Sequence, residues 1–218
     1  MTLSTEDPPL INTTYSVAPS ALNVSPSGDF PGNDLKSALE PVAGSTSQMC
    51  AVPGPASSYN RRMPITLRDV TDADLPIFFE LQRDPTYNHM AAFTHKDPDD
   101  REAFDAHWMK IRANPEIKNR TIGFEGQAAG HIASFFVEGH REITYGIARH
   151  LWGRGLATEA LRAFLAVDTT RPLRARAAKD NVGSLRVLAK CGFEVAGEDS
   201  GFANARGQEI EESVLRLS

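Results

Sequence analysis

Gly153 and Gly155 stand one residue apart where a strand-like run gives way to a helix-like one, a placement that suits a backbone anion site. Upstream, residues 143–148 read ITYGIA and have the alternating, β-branched and aromatic character of a strand. Downstream, Leu156, Ala157, Ala160, Leu161, Phe164 and Leu165 recur at helical spacing. Glycine reaches positive φ at no steric cost, so these residues suit a tight turn. They equally suit a site where the bare N–H groups of a helix N-terminus meet a phosphate that side chains would keep away. Two phosphate motifs do not fit. A Walker loop ends in Gly-Lys-Ser/Thr, which this sequence lacks. A dinucleotide fingerprint needs a third glycine-like position and an acid about 20 residues on; here Thr158 occupies the first place and Ala175-Arg-Ala177 surrounds the second.

The elements that must hold this turn can be read on either side of it. A first strand is predicted over 64–69, and Thr71 to Asp74 resembles a capping box ahead of a helix carrying Leu75, Phe78, Phe79 and Leu81. Residues 84–97 read as irregular. A second helix is predicted with Asp97 as N-cap, Pro98 at N1 and an apolar stripe of Phe104, Trp108 and Ile111. Three strands at about 119–124, 127–137 and 142–148 are joined by short Gly-containing links, which implies an antiparallel meander. The helix from about Gly155 and a strand near 173–177 then form a βαβ crossover, and so a parallel pair. A helix from Asn181 to Lys190 stops at Gly192. Strands near 193–197 and 209–217 close the chain. The predicted fold is mixed α/β, a sheet of six or seven strands with helices on both faces, spanning residues 63–218.

Residues 1–62 differ in kind. Eight of the 14 prolines and ten serines fall within 1–60, with no sustained period of 2 or 3.6, so this extension is expected to lack a packed core and to be disordered. Met63 directly precedes the first strand, and the extension is expected to be dispensable. The start MTLSTEDPPL carries acids where a secretory signal would carry bases, and no run approaches the roughly 18 apolar residues of a membrane span. Cys50 and Cys191 make no CxxC pattern, and the six histidines show no ligand spacing, so neither disulfide nor metal is expected and a reducing cytoplasm is the default compartment. The net charge of −5 gives no general attraction to nucleic acid or anionic lipid, so a phosphate-bearing ligand needs a local site. Monomer and homodimer are not separated by the sequence.

The run from Glu142 to Ala160, followed by Asp180-Asn-Val-Gly-Ser184 and Lys190-Cys-Gly-Phe-Glu194, resembles the GNAT superfamily of acyl-CoA-dependent N-acyltransferases. The similarity covers 63–218 and is greatest to the branch of ribosomal-protein N-terminal acetyltransferases. It implies a twisted, mostly antiparallel sheet whose one parallel pair splays to hold acyl-CoA. It also implies acetyl-CoA as co-substrate, its pyrophosphate on the N–H groups of Gly153, Arg154, Gly155, Leu156, Ala157 and Thr158. Ile147, Ala148 and Arg149 would bond the pantetheine amides, one N–H facing the thioester oxygen. Two positions depart from the family pattern. His150 stands three residues before the first glycine, where Gln or Arg is frequent. Leu188 stands seven residues after the asparagine, where many members carry a tyrosine that acts as general acid.

Acetyl transfer to an amine needs a neutral amine, a polarised carbonyl, a stabilised thiolate and alignment. Ser184 is the candidate for the thiolate, or else a helix-surface serine. Asn181 suits both an N-cap and a cofactor contact. Glu142 is the candidate base, or else a solvated strand-end acid; Tyr145 and His131, expected as neighbours on the sheet, compete with it. Glu159 fits the recurring Thr-Glu-Ala of the family that the chain resembles, and equally suits a helix cap or a buried hydrogen-bonding acid. Gly146 suits a close backbone approach or a plain glycine in a weak strand. The acceptor wall is expected from 84–97, with Tyr87, His89, Met90, Phe93 and His95. The acceptor implied is a peptide or protein N-terminal α-amine, with a small-molecule amine as the second reading. A non-catalytic acyl-CoA-binding module and an interaction protein working through its tail are the readings from other classes.

Overall fold

The structure is a computed structural model that describes residues 65–218. The extension over 1–62 and the boundary after it therefore lie outside the described residues. Strand β1 (Thr66–Arg68) leads through a single 3-10 turn (Asp72–Asp74) into helices α1 (Leu75–Arg83), α2 (Pro85–Ala91) and α3 (Arg101–Ala113). Strands β2 (Lys118–Phe124), β3 (Gln127–Val137) and β4 (His140–Ile147) follow as the expected meander. A 3-10 turn over Arg149–Leu151 joins β4 to α4 (Leu156–Val167), and β5 (Leu173–Ala178), α5 (Val182–Lys190), β6 (Glu194–Ala203) and β7 (Gln208–Leu217) complete the order. All seven strands share one sheet, ordered β1-β2-β3-β4-β5-β7-β6, and only β4 and β5 run parallel.

Three local expectations are corrected. Residues 84–97 are not irregular throughout. Asp84 accepts from the N–H groups of Thr86 and Tyr87 at 2.9 and 3.0 Å, Pro85 takes the first helical position, and α2 results. Helix α3 begins later than predicted, because Asp97 spends its carboxylate on the Asp99 N–H while Asp100 caps at the Ala103 N–H, 2.9 Å away. Strand β6 runs to Ala203, well past 197.

The parity of the strands assigns the faces. Glu142, Thr144 and Gly146 lie opposite Phe135, Ala133 and His131 and point to the side covered by α1, α2 and α3, where Phe78 and Trp108 meet the His131 ring edge-on. Arg141, Ile143, Tyr145 and Ile147 point to the α4 and α5 side. Tyr145 and His131 are therefore on opposite faces, which corrects their expected neighbourhood. Below the α4 side, Asp168 caps the end of α4 in full burial. It accepts from Lys118 Nζ at 2.8 Å, Arg141 Nε at 2.9 Å and Ser134 Oγ, tying α4 to β2, β3 and β4.

Candidate active site

Strands β4 and β5 form a fork. They pair only at Arg141 with Leu173 and Glu142 with Arg174, although β4 continues to Ile147 and β5 to Ala178. Antiparallel partners alternate between bonded and non-bonded pairs. Because Ala148 N–H donates to the Ala129 carbonyl at 2.8 Å, even-numbered β4 residues bond to β3 and odd-numbered ones turn their peptide groups toward β5. Past Glu142 those groups face the gap. Ala148 uses both its backbone groups inside the protein, its carbonyl accepting from Leu151 N–H. The Ile147 carbonyl accepts from Trp152 Nε1 at 2.6 Å. Among Ile147, Ala148 and Arg149, the expected partners of a pantetheine arm, the Ile147 N–H is a donor that the strand parity aims into the fork. The Tyr145 peptide groups, which the sequence reading did not include, join it. Arg149 sends its guanidinium outward to Asp84 at 2.8 Å. Partial burial pushes the Asp84 carboxyl up, but the N–H groups of Tyr87 and Thr86 and the Arg149 cation bring it below its ordinary value.

The glycine turn closes one end of the fork. Gly153 has φ 76° and Gly155 φ 82°, left-handed values that favour glycine. Helices α2, α3 and α5 each start on a side chain that accepts from their first turn, whereas α4 starts on Gly155, with no such side chain. The first-turn N–H groups of Leu156, Ala157 and Thr158 thus meet no capping side chain and carry the positive end of a 12-residue helix. Arg154 is exposed and lays its guanidinium 5.3 Å from the centre of the Phe124 ring.

On the α2 side the fork is narrow. A Cβ on Gly146 would lie 1.8 Å from Tyr87 Oη, and one on Gly130 would lie 1.9 Å from the Gly146 carbonyl oxygen. Gly146 is accordingly a close-approach glycine, and Tyr87 rests against the backbone of the fork. Farther in, a charged cluster crosses the gap. Glu142 is buried, not solvated at a strand end, and its Oε1 accepts from Arg176 Nε at 3.3 Å. The same guanidinium donates to Asp199 at 2.6 Å and Glu212 at 3.0 Å. Burial pushes the Glu212 carboxyl above its ordinary value, and Arg176 only partly offsets this.

Asn181 caps α5 through Oδ1, which accepts from Ser184 N–H at 3.0 Å, while its Nδ2 donates to the Met90 carbonyl and ties α5 to α2. Ser184 is fully buried in the first turn of α5, which corrects the helix-surface alternative. Leu188 is buried too. The Tyr145 hydroxyl, on the α4 and α5 side near Cys191, is buried with no hydrogen-bond partner, and burial raises its pKa well above that of a free phenol.

A cavity of about 530 Å³ adjoins the fork at Thr144 and Tyr87 and runs between α1, α3 and β3. The expected acceptor segment contributes Tyr87, Asn88, Thr94 and His95 to its wall. Phe93 turns away to pack with Ala92, Ala178 and Ala203. The tip of the β6–β7 hairpin clasps the segment from outside. Asn204 Nδ2 donates to the Thr94 carbonyl at 2.7 Å, Ala205 N–H to that of Ala92, and Arg206 to that of His89 while pairing with Asp180 through two bonds of 2.5 and 2.9 Å.

The histidines give the cavity a pH signature. Burial lowers His131 and His107 to about 4 and lowers His95 as well. A group depressed from an unfolded value near 6.5 takes up its proton more readily in the unfolded chain, so stability falls as the pH drops from about 6.5 toward 4. The expected loss is about 2–3 kcal/mol for each fully shifted histidine, read as urea midpoints across that window. His131→Phe should flatten the slope. Asp74 and Asp168, held well below the ordinary carboxylate range by their hydrogen bonds despite burial, add a second loss below about pH 4.

Tyr87 against Gly146, Arg176, Glu212 and the His95–His107 contact, with ring centres 5.0 Å apart, were not found by the sequence reading. The signals were present only in part: Asp84-Pro85 marks a helix start that would have placed Tyr87. Among the described residues no group of three or more His, Cys, Asp or Glu side chains is set to hold a metal ion, and no helix is long and apolar enough to cross a membrane.

A forked sheet with backbone donors in the gap and a side-chain-free helix start at its end defines an acyl-group transferase of the acyl-CoA-dependent class. The chain belongs to the acetyltransferase (GNAT) domain family, which matches residues 65–194. Solved structures agree on the fold. A GNAT superfamily phosphinothricin acetyltransferase from Sinorhizobium meliloti, in complex with AcCoA, is 19% identical with a TM-score of 0.62, over 71% of this chain and 88% of that one. Ribosomal-protein-alanine N-acetyltransferase from Brucella melitensis is 21% identical with a TM-score of 0.60, over 70% and 98%. Spermidine N-acetyltransferase from Vibrio cholerae, in complex with CoA and spermine, is 15% identical with a TM-score of 0.60, over 70% and 94%. No sequence among curated proteins matches.

Proposed function

We propose that the protein transfers the acetyl group of acetyl-CoA to a primary amine by direct attack in a ternary complex, with a peptide or protein N-terminal α-amine as acceptor. The observation that carries this reading is the fork between β4 and β5, open on the Ile147 N–H and ended by the glycine turn. The residues present suit acetyl-CoA: Gly153 to Thr158 would receive the pyrophosphate on their N–H groups, and the peptide groups of Tyr145 would pair with the pantetheine arm. Bound there, acetyl-CoA supplies an activated acyl carbon and a thiolate leaving group. The chain supplies alignment, a donor for the thioester oxygen at Ile147, and exclusion of water.

The acceptor reading rests on how little base strength the site offers. His131 and His107 are held near 4, and Glu142 is shared with Arg176. An α-amine with a pKa near 8 frees its lone pair far more readily than a lysine near 10.4. Relatives of comparable likeness are named for a ribosomal protein and for spermidine, so the panel must contain both kinds. Thiol release should be measured with a free N-terminal peptide, its N-acetylated lysine-bearing twin, spermidine and an aminoglycoside. Preference for the blocked peptide overturns the α-amine reading. Activity confined to spermidine or the aminoglycoside moves the acceptor to small amines, and CoA binding without turnover leaves a binding module.

Ser184 is assigned to the departing sulfur. Its removal should cost more in kcat than in KM, because the contact matters mainly in the transition state. Ser184→Ala is expected to lower kcat by about one to three powers of ten; unchanged turnover refutes the role. Glu142→Gln should flatten the rising alkaline limb of the pH–rate curve if Glu142 helps to remove the amine proton. An unaltered limb shifts that task to water or to Glu212.

A further inference from the structure

We infer that the acceptor carries a bulky, uncharged apolar or aromatic group next to its amine, and that this group fills the cavity between α1, α3 and β3. The inference rests on the amine-acetylation reading and names its substrate class. The cavity meets β4 at Thr144 and is walled at the fork by Tyr87, whose hydroxyl touches Gly146. A group lodged inside therefore leaves its amine beside the peptide groups of the fork.

The wall decides what can lodge there. Phe78, Phe104, Trp108 and Phe135 supply much of it; among the described residues no aspartate or glutamate lines it, and the one charged residue there is Lys110. An ammonium group entering this space would be desolvated with no carboxylate to meet it and with a like charge in the wall, which is costly. Aromatic rings can bind cations through their faces. Here Phe78, Trp108 and His131 are turned on one another, Phe78 lying 4.9 Å from Trp108 and Trp108 5.5 Å from His131 between centres, which takes up part of their ring faces. Burial also keeps His107 and His131 uncharged at neutral pH, so they add ring edges and no charge. The carboxylates of Glu142 and Glu212, by contrast, are bound to Arg176 at the fork. A polyamine would have to place its remote charge where the described wall offers none of the opposite sign. A phenylalanine, leucine or methionine side chain, or the body of an aromatic amine, meets surface of its own kind.

Two measurements separate this inference from the reading beneath it. Peptides identical except for a first residue of Phe, Leu, Ala, Lys or Glu, with spermidine and phenethylamine beside them, are assayed for thiol release. Phenylalaninamide and lysinamide are titrated calorimetrically into the full chain. The Phe peptide should exceed the Ala peptide by about ten- to a hundredfold in kcat/KM, the worth of burying one large side chain. Lys and spermidine should fall below Ala, and phenylalaninamide should bind while lysinamide does not. Ala133→Leu on β3 and Ala103→Leu on α3, each lining the cavity from a different element, should erase the Phe advantage while leaving CoA affinity in place. Phenylalaninamide binding without turnover of any amine would uphold the cavity's preference and remove the transfer reading. Turnover with a preference for Lys, Ala or spermidine, or equal binding of the two amides, overturns the inference. A Phe advantage that survives both filled cavities places the apolar group elsewhere and also overturns it.

Discussion

The Asp168→Ala protein is expected to lose about 3–5 kcal/mol of unfolding free energy, the usual result of removing one partner from a buried ion pair. Asp168 is fully buried and holds Lys118, Ser134 and Arg141. Arg141 is itself buried, so its guanidinium would be left without its carboxylate in the interior. In a domain of this size the loss lowers Tm by about 10 °C or more. The effect is also functional, since Arg141 forms the last tie of β4 to β5 with Glu142 before the strands part. The double variant Asp168→Leu/Arg141→Met should recover much of the stability, because apolar residues of similar bulk replace a buried pair at little cost. A single variant as stable as the wild type in urea would show that the network contributes little.

Replacing Gly155 should have the largest effect on ligand binding. Valine at φ 82° is strained and adds atoms where the phosphates would sit, so both Tm and CoA affinity should fall. Asparagine tolerates the left-handed region, and Gly155→Asn therefore separates the two effects. It is expected to keep most of the melting temperature while binding CoA at least about a hundredfold more weakly, the worth of roughly two hydrogen bonds to a charged group. Calorimetric titration is the measurement. An Asn variant that binds CoA as the wild type does would end the assignment of the phosphates to this turn.

The parts of the fold that could be read directly are those with local causes. The alternation in 127–137, the short Gly links, and the helical stripe after Gly155 each follow from neighbours in sequence, and the meander and the crossover follow from them. Helix α2 was hidden because seven residues are too few to show a period, although Asp84 and Pro85 marked its start. Asp97, Asp99 and Asp100 compete for one cap, and only the packed structure selects Asp100. Strand β6 carries Glu198 and Asp199 with glycines at 197 and 201, an exposed run with no apolar alternation to reveal its length. At the site, the glycine turn and Asn181 with Ser184 were visible as motifs. Tyr87 against Gly146, and Arg176 between Glu142 and Glu212, join residues 34 to 59 positions apart and leave no local trace.

The fork between β4 and β5 also bears on how this protein avoids its own kind. Strands with unpaired peptide groups are templates for other chains, and proteins usually blunt them with charges, prolines or bulges at the outer border of a sheet. Here the Tyr145 peptide groups and the Ile147 N–H lie inside the sheet, flanked by β3 on one side and by β5 and β7 on the other. A second polypeptide strand needs about 4.8 Å of clearance on each side to pair, and room for side chains above and below. Tyr87 against Gly146 takes that room from one face. The close approach of Tyr87 to Gly146 thus works against a strand with side chains on that face of the gap. The molecule can keep an open set of hydrogen-bonding groups at its centre without inviting strand addition there.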